Sequence, residues 1–319
     1  MNLDDLTRRV SRSFALTLSA LPAKQRGAVA LTYLIARFAD TLADAGKLKL
    51  EERLQFLAAW KDAFLQLKPE LWKPLANVGS FSESEAYLLL EGRNILSEFS
   101  KLSLSQIDAG QEVLKTLVAG MEWDLKNFSS AFDQSATPKF GVKDPQTFDW
   151  YCYSIAGCVG AYWVKIFKLP ISLESLAVAY GKGLQRINII RDVKSDWNRK
   201  RVYLPDSELQ KLNLVGAEFW KKAEWKIFLK NYIAETKKLL FYGANFCDSI
   251  PYFSFKLRWA SAMPLKIGLA TLNKIALIQD GGTEAKISRR EVKKLAISTL
   301  CSVILGRKFS NENLYQDGR

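Results

Sequence analysis

The sequence predicts an all-α protein, on three observations. Apolar residues recur at helical spacing almost throughout the chain, glycine and proline are sparse (18 and 9 of 319 residues), and no alternating strand segment or Asn-Gly hairpin turn is present. In order, Ala28–Phe38, Leu54–Leu67, Glu85–Phe99 and Ile107–Phe128 carry the helical repeat, as do Thr147–Phe167 and Leu173–Val193. Glu218–Cys247, Phe255–Ile278 and Ser288–Leu305 complete the helices, the last opened by a Ser288/Glu291 capping-box pair. Breaks fall at Lys68–Ser84, at Ser129–Gln146 with Pro138, Gly141 and Pro145, and at Asn198–Leu214 with Pro205. None has linker composition, so residues 1–319 are expected to form one domain.

Composition removes several chemistries. The chain has no histidine, which excludes Ser-His-Asp and Cys-His triads, His-ligated zinc and histidine acid–base catalysis. Cys152, Cys158, Cys247 and Cys301 form no metal-ligand spacing and read as small core residues in a reducing compartment. With 46 Lys+Arg against 33 Asp+Glu the formal charge is +13, which favours anionic partners or is simply a basic soluble surface. Met1–Val10 carries two acids and two arginines, unlike a signal peptide, and the apolar stretch Leu295–Leu305 is too short to span a bilayer. A cytoplasmic location is expected.

Two segments carry paired carboxylates. Asp40-Thr-Leu-Ala-Asp44 ends an apolar helix and follows Arg37; Asp192-Val-Lys-Ser-Asp196 follows Gln185, Asn188 and Arg191. Aspartates four apart project from one helix face, where their repulsion costs a few tenths of a kcal/mol. Each pair alone is either a solvated helix face or an oxygen-only ligand set suited to Mg²⁺ and its phosphate partners. Gln185, Asn188, Asp192 and Asp196 extend the second pair into one polar stripe beside Leu184, Ile187 and Ile190. A third segment, Tyr151-Cys-Tyr-Ser-Ile-Ala-Gly-Cys-Val-Gly160, places Ala156, Gly157 and Gly160 as a smooth patch near the Tyr151 hydroxyl. Small residues there serve either close helix packing or room for a ligand tail.

Together these residues resemble the squalene/phytoene synthase family of head-to-head prenyl transferases. Gly181-x-x-x-Gln185-x-x-Asn188-Ile-x-Arg191-Asp192-Val-x-x-Asp196, followed by Arg201-x-Tyr203-x-Pro205, follows the family signature almost position for position. Tyr151–Gly160 resembles its YCxxxAGxVG helix, Asp40–Asp44 its first aspartate-rich motif, Ser11-Arg-Ser-Phe14 its N-terminal substrate segment, and Gly120–Leu125 a weaker internal motif. The resemblance implies an isoprenoid synthase fold, a single helical bundle around a deep apolar cavity with both aspartate motifs at its mouth. It implies Asp40, Asp44, Asn188, Asp192 and Asp196 as metal ligands, and Tyr33, Arg37, Tyr151 and Arg191 as catalytic residues. Ser11, Arg12, Ser13, Phe14, Ala156, Gly157, Gly160, Gln185 and Arg201 would bind substrate. Phe14, Tyr151, Trp163 and Phe167 are candidate cavity linings. The chain departs from the family pattern at Ala45, at Tyr180, usually aliphatic, and at Ser195, where many members carry an acid.

Two stretches lean towards the reductive branch of the family. Ala262–Leu272 resembles that branch's AxPxxxAIATL helix, and Ala285–Val292 its basic segment, which implies Lys286 and Arg289 as NADPH-binding residues. The basic stretch is otherwise a capped helix N-terminus. The implied activity is that of a farnesyl-diphosphate farnesyltransferase: Mg²⁺-dependent coupling of two farnesyl diphosphates through presqualene diphosphate, then NADPH reduction to squalene. The alternatives are the non-reductive phytoene, dehydrosqualene and presqualene diphosphate synthases. A non-catalytic basic protein binding phosphate or nucleic acid is a reading from another class, but two DxxxD pairs would repel a phosphate backbone. The expected partner is therefore farnesyl diphosphate and not nucleic acid, with the chain a monomer. The lipid product makes peripheral contact with the membrane's inner face an expectation.

Overall fold

The computed structural model describes residues 3–10, 17–45, 48–73, 81–129, 138–278 and 285–311. The described residues are helical apart from turns, loops and one pair of two-residue strands, which is the all-α class the periodicity predicts. The chain divides into two compact units: Met1–Ser129 with Tyr162–Leu169, and Ser130–Ala161 with Pro170–Arg319.

Unit one contains α1 (Leu3–Val10), α2 (Ala23–Ala43), α3 (Leu50–Leu65), α4 (Glu83–Leu90), α5 (Gly92–Phe99) and α6 (Leu104–Asn127). α2 is its central helix and packs on α1 and on α3 through α6. Its inward face is built from Leu34, Ile35, Phe38, Ala39 and Leu42, all fully buried. Phe38 stacks on Trp60 at 3.8 Å, and Trp72 meets both rings edge-on at 5.0 and 5.3 Å. The Trp60 indole N–H donates to the Ile35 carbonyl at 3.1 Å, so the ring is buried with its polar edge satisfied. Tyr162 joins this unit through its hydroxyl, 3.1 Å from Thr32 Oγ1. The helix predicted as Glu85–Phe99 divides at Glu91, ahead of Gly92, whose low helix propensity and close approach to Phe38 favour a break.

Unit two contains β1 (Lys139–Phe140), α7 (Pro145–Cys152), a π-helical turn (Tyr153–Gly157), the first part of α8 (Cys158–Ile166), α9 (Glu174–Asn198), β2 (Arg201–Val202), α10 (Asp206–Lys211), α11 (Glu224–Ser249), α12 (Phe255–Ile278) and α13 (Arg289–Ile304). α9 is the hub, packed against α11, α12 and the π turn. Its approach to the π turn and the start of α8 is a backbone contact. A Cβ on Gly160 would lie 2.1 Å from the Ala177 carbonyl oxygen, and one on Gly181 would lie 2.4 Å from that of Ala156. Tyr180 is also accounted for: its hydroxyl donates to the Ser261 carbonyl at 2.9 Å, and Gly243 clears space for its ring.

Three further expectations change. β1 and β2 pair in parallel, Lys139 with Arg201 and Phe140 with Val202, in strands too short to show alternation. The helix expected from Glu218 begins at Glu224, because Glu218 takes a left-handed φ of 52° and a 3-10 turn, Phe219–Lys221, intervenes. Cys152, Cys158 and Cys247 are buried as expected, but Cys301 is exposed on α13. Burial pushes the Cys152 and Cys158 thiols up to about 12 and raises that of Cys247.

Two glycines separate packing from propensity. Gly27 lies in α2 with open space where a Cβ would stand, so Gly27→Ala should raise stability by roughly 0.5–1 kcal/mol through helix propensity. Gly160→Ala should lower it by about 1–3 kcal/mol, because rigid backbone must move aside. Denaturant unfolding followed by helical circular dichroism reads both, and the two shifts should have opposite signs.

Candidate active site

In unit one, α2 carries Tyr33, Arg37, Asp40 and Asp44 on one face, at steps of four, three and four, opposite its buried face. Asp44 is the residue that ends the helix, its N–H donating to the Asp40 carbonyl at 2.9 Å. The first aspartate pair therefore occupies the last turn, where the helix dipole is already negative. The Arg37 guanidinium donates to the Asp40 carboxylate and lies 3.8 Å from Glu85 Oε1 on α4. Despite that partner, the Asp40 carboxyl is pushed up to about 6 by loss of solvation and then by the charge of Asp44. Water still reaches 40% of the side chain and screens part of that cost. Beneath this end of α2, buried Arg53 donates to the Ala43 carbonyl at 3.2 Å and the Leu48 carbonyl at 3.0 Å. A cation thereby holds the carbonyl end of the helix that bears the aspartates. Sequence reading missed Glu85 and Arg53; a cation ten residues beyond a helix end has no spacing signature.

In unit two, the second pair has the same placement, in the last two turns of α9. Gln185, Asn188, Asp192 and Asp196 share the accessible stripe, while Ile187, Ile189, Ile190 and Val193 are buried behind it. Arg191 binds Asp192 with two N–H donors, at 2.9 and 2.5 Å. Asn188 Nδ2 lies 3.4 Å from Gln185 Oε1, and Ser195 Oγ donates to the Asp192 carbonyl at 2.9 Å. The end of α9 is anchored by aromatic rings: Trp197 contacts Trp220, Phe219 and Phe140 at 5.5 to 6.1 Å between centroids. This ring cluster, also unmarked in the sequence, sets the direction of the Asp192–Asp196 turn.

Lys200, with φ 65°, reverses the chain immediately after α9 and leads into Arg201 and Tyr203. Arg201 Nη1 donates to the Tyr203 hydroxyl at 3.2 Å, and Tyr203 stacks on Tyr151 at 5.1 Å. Tyr151 is buried in the last turn of α7, two residues before the π turn begins at Tyr153. Single π turns inside helices are common at functional sites because they re-aim the residues beside them. Of the small residues in this segment, Gly160 is already required by the approach of Ala177, and a Cβ on Gly157 would crowd Lys182 and Tyr153 at 3.1 Å. Trp163 and Phe167 are half-buried in unit one and contact each other at 4.8 Å.

Lys286 and Arg289 are exposed at the start of α13. The capping box is formed: Ser288 N–H donates to Glu291 at 2.8 Å, and Glu291 N–H donates to Ser288 Oγ. Hydrogen bonds to its carboxylate from the Ser288 hydroxyl and N–H, with Lys274 beside it, hold the Glu291 carboxyl down to about 2. Ser11, Arg12, Ser13 and Phe14 lie outside the described residues.

The donor chemistry at both pairs fits Mg²⁺: hard carboxylate oxygens, carboxamides beside the second pair, and excess negative charge at Asp40 and Asp44 that a dication would relieve. Among the described residues no three His, Cys, Asp or Glu side chains form a ready-made cage. A metal held by either pair would therefore take further ligands from phosphate oxygens and water.

Comparison with known proteins agrees with these features. A sequence profile of the Squalene/phytoene synthase family matches residues 7–292. The squalene synthase of Schizosaccharomyces pombe is 30% identical over 202 residues, 61% of this chain and 42% of the relative. The presqualene diphosphate synthase of Rhodopseudomonas palustris is 27% identical over 208 residues, 65% of this chain and 62% of the relative. The chain thus spans about half the length of the curated relatives it matches. A solved ligand complex of TcSQS superimposes with a TM-score of 0.73 at 20% identity, covering 98% of this chain and 93% of that one, which shows a shared isoprenoid synthase fold. With its profile matched from residue 7 to residue 292, this chain belongs to the squalene/phytoene synthase family.

Proposed function

We propose that this chain is a prenyl transferase that couples two farnesyl diphosphates head to head, through presqualene diphosphate, and reduces the product to squalene with NADPH. The observation that carries the reading is the repeated unit of chemistry at two helix ends: an accessible aspartate pair with an arginine already seated on one of its carboxylates. Mg²⁺ bound there would neutralise diphosphate and make it a better leaving group. Asp40 and Asp44 at one end, and Asp192 and Asp196 with Asn188 and Gln185 at the other, are the ligands we assign to it.

Arg37 and Arg191 have a second task in this reading. Each exchanges its carboxylate partner for a phosphate oxygen when diphosphate arrives, so that charge developing on the leaving group meets a positioned donor. Tyr151, held against Tyr203 with Arg201 adjacent, and Tyr33, on the face that bears Arg37, are assigned to orienting diphosphate or moving a proton through their hydroxyls. Ser11, Arg12, Ser13 and Phe14 are assigned to substrate binding, and the segment from Ala156 to Gly160 to shaping the space beside the prenyl chain. Lys286 and Arg289 are assigned to the cofactor's phosphates, because no glycine-rich phosphate loop follows a strand here. A product that stops at presqualene diphosphate is the second reading, favoured by the likeness to the Rhodopseudomonas relative.

Asp44→Asn or Asp192→Asn should abolish turnover at saturating Mg²⁺ while helical circular dichroism and melting stay near wild type. Retained activity in either variant would remove the metal assignment.

Asp40 supplies a pH test. Its folded value of about 6 exceeds its ordinary 3.8, so the folded protein binds this proton more tightly than the unfolded chain. In metal-free buffer this group contributes stability that grows as pH falls from about 6 towards 3.8 and is absent above 6. Asp40→Asn should remove that contribution, so the difference between variant and wild-type melting temperatures should change across this window. In wild type, the Mg²⁺ concentration for half-maximal rate should rise as pH falls below 6, because a protonated carboxyl is a poor ligand. A flat Mg²⁺ requirement from pH 7.5 to 5 would count against Asp40 as a ligand.

Incubation with farnesyl diphosphate and Mg²⁺, followed by lipid extraction, distinguishes the two readings. With NADPH the product should be squalene; without it, presqualene diphosphate or hydroxylated thirty-carbon products should accumulate. Removing the charges of Lys286 and Arg289 together should raise the NADPH requirement and spare the first coupling. A product spectrum indifferent to NADPH would assign the chain to a non-reductive branch.

A further inference from the structure

Helix α13 keeps only part of its apolar surface against the protein. Towards the protein it buries Thr299, Ser302 and Val303, and the Thr299 hydroxyl is buried without a hydrogen-bond partner. Outward it presents Ile297 (66% exposed), Leu300, Cys301, Ile304 and Leu305 (62%), at steps of three, one, three and one along a single face. The Tyr252 hydroxyl donates to the Ile304 carbonyl at 2.7 Å, which brings a second apolar group to the end of this stripe, with Phe253 next in the chain and 80% exposed. Single exposed apolar residues are ordinary on a protein surface, but an aligned series continued by aromatic residues is the signature of a surface that meets something apolar.

The flanks say what that is. Before the apolar stripe, exposed Arg290, Lys293 and Lys294 continue the same helix face; beyond it stand exposed Arg307 and Lys308. Residues 290–308 contain five arginines and lysines and one acid, Glu291, which is engaged by Ser288 and Lys274. A short apolar band bounded at both ends by cations matches an anionic lipid interface, with the apolar side chains at acyl depth and the cations at the headgroups. No described helix is long and apolar enough to cross a membrane, so the helix would lie on the bilayer. We infer that the outward face of α13, with the Tyr252–Phe253 corner, docks this protein on the surface of an anionic membrane. The inference is independent of the proposed reaction: the residues it uses are outside the set assigned to catalysis, substrate and cofactor.

Cys301 provides a reporter within the stripe, since the other three thiols are buried and raised, so a thiol-directed environment-sensitive dye should label Cys301 selectively. The full-length labelled protein is mixed with phosphatidylcholine vesicles, with and without phosphatidylglycerol. Dye emission should shift to the blue, and unlabelled protein should co-sediment, with the anionic vesicles far more than with the neutral ones, the binding weakening as salt is raised. Lys293→Glu with Lys294→Glu, and separately Leu300→Ser with Ile304→Ser, should each weaken binding by at least about tenfold. All four side chains are on the exposed face, and unchanged melting of each double variant verifies that the fold is kept. Wild-type protein that fails to bind anionic vesicles would overturn the inference, as would binding indifferent to both double variants. A wild-type dimer that Leu300→Ser with Ile304→Ser converts to monomer would instead identify the face as a contact between two copies of the chain.

Discussion

Negative charge gathered where a helix is already negative is the constraint around which each of the two aspartate pairs is built. Asp40 and Asp44 close α2, and Asp192 and Asp196 lie in the last two turns of α9. Each pair adds mutual repulsion to an unfavourable interaction with the helix dipole. Nearby groups offset part of this. Arg37 and Arg191 each neutralise one carboxylate, and buried Arg53 ties off the carbonyl end of α2. The compensation at α2 is incomplete: loss of solvation and then the charge of Asp44 raise the Asp40 carboxyl despite Arg37. A helix end with residual negative charge and accessible oxygens is poised for a hard cation.

Precision at such a site depends on how firmly the helix ends are held, and the two units use different means. In unit one the end of α2 is fixed by a buried cation and by the Phe38–Trp60 stack with Trp72 edge-on to both rings. In unit two α9 meets its neighbours at backbone contact around Gly160 and Gly181, and Trp197 is set among rings at its end. The same close packing reinterprets part of the glycine-rich Tyr151–Gly160 segment: Gly160 is small because a carbonyl of α9 occupies the space a side chain would need. Tyr180 follows the same logic, since its extra ring is admitted by Gly243 and its hydroxyl is satisfied by Ser261.

The C-terminal helix shows the opposite relation between residues and surroundings. The Ser288–Glu291 cap gives α13 a well-defined start, yet Ile297, Leu300 and Ile304 face away from the protein while Thr299 and Ser302 are buried beside Val303. Burial of its own stripe therefore contributes little to folding, and the basic flanks leave an anionic interface as its natural counterpart.

The helical class, the locations of nearly all helices and the two aspartate pairs with their arginines were legible in the sequence, because each depends on residues three to four apart. Phe255–Ile278 was bounded to the residue for the same reason, and Ser288 and Glu291 announced their cap. The left-handed Glu218, the π turn after Tyr151 and the paired two-residue strands were not legible, since each reflects a backbone choice made by packing rather than by local periodicity. Nor could sequence reveal Arg53 beneath α2, Glu85 beside Arg37 or Tyr203 stacked on Tyr151, which are encounters between segments 10 to 52 residues apart. The orientation of α13 belongs with them. Its spacing marks an amphipathic helix, but only the tertiary structure decides which face the protein keeps and which it offers to a partner.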